Sequence, residues 1–298
     1  MFDEIKRMYY SGNMIIKLIF INVAVFIIIN LIGLFSFLFT GHGAENLGII
    51  NWLAVPADLT SLLYKPWTII TYAFLHYDFF HILFNMLWLF WFGKIFLEFL
   101  NEKQLLNVYL LGGISGAFLY IFAYNVFPVF QASVPFSYAL GASAAVYAVV
   151  VAIAAFVPDY SIILLLIGRV KIKYIAIFVV VLDFLSISGG NAGGHIAHLG
   201  GAAFGFFFAM QRKSGKDITA WFGNFTDDIA GWFKRKPKMR VTENKFKTKK
   251  PTSDLEYNAQ KKVNQEVIDK ILDKISKQGY NSLTKEEKEI LFKMSNKK

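Results

Sequence analysis

A few polar residues interrupt the long apolar stretches of this 298-residue chain. Gly141-Ala142-Ser143-Ala144 is followed by Tyr147, one helical turn beyond the serine. His81 and Asn85 lie four apart, preceded by His76 and Asp78. Gly193-Gly194-His195-Ile196-Ala197-His198-Leu199-Gly200-Gly201 runs on to Gly205. A hydroxyl within reach of an imidazole is the pairing of nucleophile and general base in covalent acyl transfer. Asn85 and His81 offer side-chain N–H groups to a developing oxyanion, and the Ser143 amide lies at the positive end of a helix dipole. These residues point to hydrolysis through Ser143, with His198 taking its proton and returning it to the leaving amine. His195 is the rival base, three residues away; His198 is preferred because it shares a stripe with Gly201 and Gly205. Asp183 and Asp78 are not placed by spacing to orient His198, so a Ser-His dyad is expected. Taken singly, a serine back-bonds to its own helix and glycines only pack; the joint placement carries the weight.

Other chemistries fall away. The chain has no cysteine, which excludes disulfide scaffolds, Cys-ligated zinc, iron–sulfur sites and thiol catalysis. No cofactor or metal is expected, and the C-terminal region carries no zinc, phosphate or nucleotide motif.

The elements that must position these residues follow from composition. Apolar residues make up 55% and charged residues 17%, with a mean hydropathy of +0.45. That is too apolar for an ordinary soluble domain of this length or for a disordered chain. A bilayer crossing takes about 20 apolar residues. Leu18–Phe39 is charge-free and reads as a retained first span rather than a signal peptide. Gln104–Pro158 contains no charged residue, and Asn125, Pro128, Gln131, Ser133 and Pro135 divide it into two spans. Phe79–Leu97, Lys171–Ile187 and Ala192–Met210 complete six. The fold class is therefore an all-α membrane protein, a six-helix bundle with a basic C-terminal tail.

Residues 1–211 hold nine basic and nine acidic residues; residues 212–298 hold 22 basic and 12 acidic, the whole net +10. Lys6, Arg7, Lys17, Lys94, Lys103, Arg169, Lys171 and Lys173 fall on one side of the expected spans and Lys65 on the other. The positive-inside rule then makes both termini cytoplasmic, in a cell (inner) membrane, with helices 2, 4 and 6 starting on the outer side. Their polar openings can meet at one depth. Intramembrane polar residues are costly and mark function. With Gly141–Val157 read as a helix of only 17 residues, Ser143 lies below the outer surface in a water-filled cavity.

Three motifs on alternate helices resemble the rhomboid intramembrane serine proteases, over about Lys17–Arg212. His81-x-x-x-Asn85, Gly141-x-Ser143 and His198-x-x-Gly201-x-x-x-Gly205 are similar to that family's signatures. The resemblance implies a serine endopeptidase cleaving transmembrane protein substrates at a helix end that unwinds, with small residues near the cleaved bond. It implies the fifth helix as lateral gate and Tyr147 packed on the His198 ring, with Gly141, Gly201 and Gly205 in support. Two positions depart from the pattern: Ala144 replaces the usual Gly after the serine, and Trp67 is followed by Thr68 rather than Arg.

The expected organisation is an N-terminal cytoplasmic segment 1–16, a protease domain 17–212, an interfacial amphipathic helix 213–236, a basic linker 237–262 and a small helical module 263–298. Ile218, Trp221, Phe222, Phe225, Ile229, Trp232 and Phe233 form one helical face for the inner leaflet. The linker suits anionic lipid; nucleic acid is not an expected partner, and the oligomeric state is open. Thr284 and Glu287 have capping-box spacing. The alternatives are a non-catalytic rhomboid-like protein that binds membrane helices, and a six-helix transporter or channel.

Overall fold

A computed structural model of the protein describes residues 12–43, 48–164, 167–223 and 254–295. It divides into two units, Met1–Arg235 and Lys236–Lys298. Most of the expected N-terminal segment, the interfacial face beyond residue 223 and the linker up to residue 253 lie outside the described residues.

The first unit is a helical bundle. Helix α1 (Met14–Thr40) starts where the Asn13 side chain accepts the Ile16 N–H and ends at Gly41, whose φ is 77°. A chain of short elements follows: α2 (Ile49–Leu53), β1 (Val55–Pro56), α3 (Leu59–Tyr64), α4 (Thr68–Thr71) and a 3₁₀ turn over Tyr72–Phe74. Helix α5 (Phe79–Phe99) is capped by Asp78, which accepts from the His81 N–H at 2.8 Å. Helix α6 (Glu102–Val126) opens with a reciprocal capping box of Asn101 and Gln104. Next come α7 (Pro128–Gln131), β2 (Tyr138–Ala139) and α8 (Ser143–Phe156). The antiparallel hairpin β3 (Ser161–Leu164) and β4 (Gly168–Lys171) leads into α9 (Ile172–Ser186) and α10 (Ala192–Lys213).

Helices occupy all six stretches expected from the sequence. Among the described residues, α1, α5 and α6 are long and apolar enough to cross a membrane. Helix α8 is apolar but has only 14 residues, about 21 Å. It begins at Ser143 rather than Gly141 because Gly141 has φ 129°, which no helix accommodates. Helix α10 is long enough, but its glycines and two histidines dilute its hydropathy.

Helix α8 lies at the centre, made almost wholly of Ala and Val, with α6 and α10 pressed against it. A methyl on Gly201 would overlap the Ala144 carbonyl oxygen, and one on Gly205 the Ala148 carbonyl. Small residues thus let the α10 backbone touch that of α8. Facing them, Gly112 and Gly116 of α6 receive the methyls of Ala148 and Ala144.

Buried polar groups in such an interior need partners. Asn22 of α1 donates to the Leu18 carbonyl at 2.8 Å and to the Tyr109 hydroxyl at 3.1 Å. Tyr109 donates to the Ala73 carbonyl at 2.8 Å, and Tyr72 to the Gly113 carbonyl at 2.5 Å. Two tyrosine hydroxyls therefore fasten the 72–76 segment to α6. After α10, Asp217 accepts from Gln104 at 2.6 Å and the Thr219 carbonyl from Asn107 at 3.1 Å. Of the expected interfacial face, Phe222 is buried while Trp221 points outward.

The second unit contains α11 (Asp254–Gln278) and α12 (Lys285–Ser295), joined through Gly279 at φ 79° and a 3₁₀ turn over Tyr280–Ser282. The capping box forms: the Thr284 N–H donates to Glu287 at 2.7 Å and the Glu287 N–H to the Thr284 hydroxyl at 3.3 Å. Lys274 reaches the Glu287 carboxylate at 2.9 Å and staples the two helices together.

Candidate active site

Ser143 is the first residue of α8, at the end of a turn held from three directions. The two-residue strands β1 and β2 pair antiparallel, Val55 with Ala139 and Pro56 with Tyr138. The Gly141 N–H donates to the Tyr72 carbonyl at 2.9 Å. The Ala142 N–H points at His76 Nε2 at 3.4 Å. Any side chain at Gly141 would meet the His81 ring at 2.8–2.9 Å, so the absence of a Cβ lets that imidazole lie over the turn beside Ser143.

Ser143 Oγ lies 2.6 Å from His198 Nε2. The approach of α10 to α8 at Gly201 and Gly205 makes this distance attainable, as a stripe headed by His198 requires. The Tyr147 ring stacks on the His198 ring, with centroids 4.5 Å apart and planes 16° from parallel. Asn85 is buried on α5, with its amide donating to the His81 carbonyl at 2.9 Å. His81, Asn85 and Tyr147 line a cavity of about 460 Å³ together with Phe84, Trp88 and Val179, between α5 and α9. The Ala144 methyl faces Gly116 of α6 and not this cavity, so the departure from Gly is met by a glycine on the neighbouring helix.

One expectation is overturned. The sequence places no carboxylate to orient His198, yet Asp183 Oδ1 lies 3.0 Å from His198 Nδ1. Asp183 is on α9, and the turn after that helix folds its last buried residue back onto α10. The same oxygen lies 2.5 Å from His195 Nδ1. His195 thus faces Asp183 rather than Ser143, which settles where the rival imidazole sits. Asp183 is 5% exposed, and its Oδ2 has no hydrogen-bond partner among the described residues. Ligand atoms of Asp183, His195 and His198 fall within 4.8 Å of one another, close enough for a divalent cation. Hydrogen bonds from both imidazoles to one carboxylate oxygen already account for that closeness.

Sequence spacing finds Ser143, Tyr147, His81, Asn85 and the glycine stripe, and the structure brings them together around His198. It misses Asp183, the His76 contact with the Ala142 amide, and the Tyr72 carbonyl that holds Gly141. The one available signal was a lone acid inside an apolar span, which Asp183 is.

Ser143 and His198, both half-buried in a bundle of apolar helices, thus bring a hydroxyl and an imidazole within hydrogen-bonding distance inside a helical membrane-protein fold. Comparison of the whole sequence with known families is specific. Residues 64–213 match the Rhomboid domain, half of the chain, so the chain belongs to the rhomboid family and is an integral membrane protein. Residues 251–297 match a family of unknown function, DUF6576. The chain is similar to the rhomboid protease GlpG of two Klebsiella pneumoniae strains, at 28% identity over 109 residues, 37% of this chain. It spans about a third of the length of those curated relatives, 35%.

Proposed function

We propose that this protein is an intramembrane serine endopeptidase that cleaves transmembrane protein substrates, with Ser143 as nucleophile and His198 as general base. The observation that carries this reading is the 2.6 Å approach of Ser143 Oγ to His198 Nε2 in an apolar bundle. Ser143 Oγ attacks the scissile carbonyl carbon as its proton passes to His198 Nε2. The imidazolium then protonates the leaving amine, and water hydrolyses the acyl-enzyme by the reverse transfers. The oxyanion is met by the Ser143 amide and by N–H groups of His81 and Asn85. Asn85 spends one amide hydrogen on its own helix and keeps the second. Tyr147 fixes the plane of the base.

On this reading all six helices cross the bilayer and both termini are cytoplasmic. Ser143 then opens towards the outer face, and α9 borders the route by which a substrate helix reaches the 460 Å³ cavity. Interfacial contact of the tail with anionic lipid and an independent C-terminal module belong to the same reading. The match of residues 251–297 to a separate family supports the module.

Cleavage of model transmembrane substrates in proteoliposomes, with fluorophosphonate labelling, tests it. Ser143→Ala and His198→Ala are expected to abolish cleavage, and Ser143→Ala to abolish labelling, whereas His195→Ala keeps most activity. A folded chain that neither labels at Ser143 nor cleaves any substrate would instead be a helix-binding relative without catalysis.

A further inference from the structure

The geometry points to Asp183 as a positioning residue that holds the His198 imidazole plane and tautomer through Nδ1, making activity depend on the docking of α9 against α10. This rests on the reading of Ser143 and His198 as nucleophile and base, and extends it to a third group on a different helix.

Three observations converge. First, His198 is engaged at both nitrogens, Nε2 to Ser143 Oγ at 2.6 Å and Nδ1 to Asp183 Oδ1 at 3.0 Å. A base whose Nε2 must be unprotonated needs its hydrogen on Nδ1, and a carboxylate acceptor there selects that tautomer. During attack the Oγ proton moves to Nε2 as the Oγ–carbon bond forms. Asp183 keeps its charge and its hydrogen bond throughout, opposite the imidazolium that results. Second, the carboxylate is itself fixed. His195 Nδ1 reaches the same Oδ1 at 2.5 Å, and the His195 ring stands edge-on to that of His198, 89° between planes. Third, Asp183 is one of only three buried residues of α9, with Ile172 and Ala176. Ile172 and Ala176 hold the first half of that helix; Asp183 alone among the three holds its last turn. Val179, one turn before it, lines the cavity beside α5. The helix that walls the cavity thus also carries the group that orients the base, so displacement of its end releases His198.

The test uses the full chain in proteoliposomes. Asp183→Asn preserves shape and removes the charge. It is expected to lower kcat and the rate of fluorophosphonate labelling at Ser143 by about a hundredfold or more, because an amide no longer selects the tautomer. KM and the thermal midpoint are expected to stay near wild type. Asp183→Glu should recover part of the rate, and Leu185→Ala, exposed on the same turn of α9, should leave it unchanged. The direct signature is ¹⁵N NMR of His198 in the wild type, with hydrogen on Nδ1. Wild-type kcat in Asp183→Asn, or a wild-type His198 without hydrogen on Nδ1, overturns the inference; the NMR result decides even if the Asn variant does not fold. Should Ser143→Ala remain active, the underlying protease reading has failed. Should Ser143→Ala be dead while Asp183→Asn is fully active, only this inference has.

Discussion

Helices α8 and α9 are consecutive in the chain and opposite in how they are held. Ten of the 14 residues of α8 are buried, against three of the 15 in α9. Helix α8 is wedged between glycines of α6 and α10 that admit its backbone and methyls. Helix α9 turns Ile177, Phe178, Phe184 and Leu185 outward, each more than half exposed. In an integral membrane protein such a surface faces lipid, which solvates it at no loss, so nothing hydrophobic drives α9 onto its neighbours. What fixes it is specific: small contacts at one end and the Asp183 hydrogen bonds at the other. The difference separates two requirements of a buried site. Ser143, the proposed nucleophile, sits on the more tightly packed element, and one wall of the cavity on the less tightly packed one.

The contrast is broken most severely from the rigid side. Gly201→Val drives a branched side chain into the Ala144 carbonyl. It is expected to cost about 3 kcal/mol or more and to separate Ser143 from His198. Thermal denaturation in detergent and loss of fluorophosphonate labelling check this; a stable, labelled variant would mean that α8 and α10 can part without consequence. A milder change on the same interface is Ala144→Gly. It removes the methyl that fills the space at Gly116 and should lower stability by about 1 kcal/mol, with labelling within a few-fold of wild type. A large gain in labelling would instead mean that the methyl crowds the oxyanion.

The smallest effect belongs to the foot of α9. Asp159 accepts from Lys171 and Lys173 at 2.9 Å each, and these hydrogen bonds hold its carboxyl down from 3.8 to about 2. Because the folded value is depressed, the contribution is complete above the unfolded value and is lost as pH falls through about 2. The pair is exposed, so Asp159→Asn should barely shift the midpoint at pH 7 and should flatten the acid limb of a stability profile. A marked loss at pH 7 would show that α9 is held at its foot more firmly than its packing indicates.

How much of this was legible in the sequence follows from which contacts are local. Ser143 with Tyr147, His81 with Asn85, and His198 with Gly201 are spacings within single helices, and helical geometry alone puts each set on one face. The stripe at Gly201 and Gly205 even implied which helix must approach α8. Asp183 falls within the expected span Lys171–Ile187 but was not read as a partner of His198, because their meeting depends on how the 187–191 turn returns the chain. The same holds for Tyr72, Tyr109 and His76, whose partners lie 36 to 87 residues away. The short pairing of β1 with β2 has no periodicity to betray it. Helix α8 was read three residues too long, two of them at its start, since only a backbone angle distinguishes Gly141 as a turn from Gly141 as a first helical residue.

The Tyr72 carbonyl that receives the Gly141 N–H has a wider consequence. Its residue is fastened to α6 through the Tyr72 hydroxyl, and the following residue through Tyr109. The Ser143 turn is therefore surveyed from a fixed datum on α6, whereas the cavity opens between α5 and α9. On the proposed function, a substrate helix pressing in from that side would strain the wall and leave the datum untouched. Ser143 would keep its coordinates while the doorway changed width, and entry and alignment would become separately adjustable quantities.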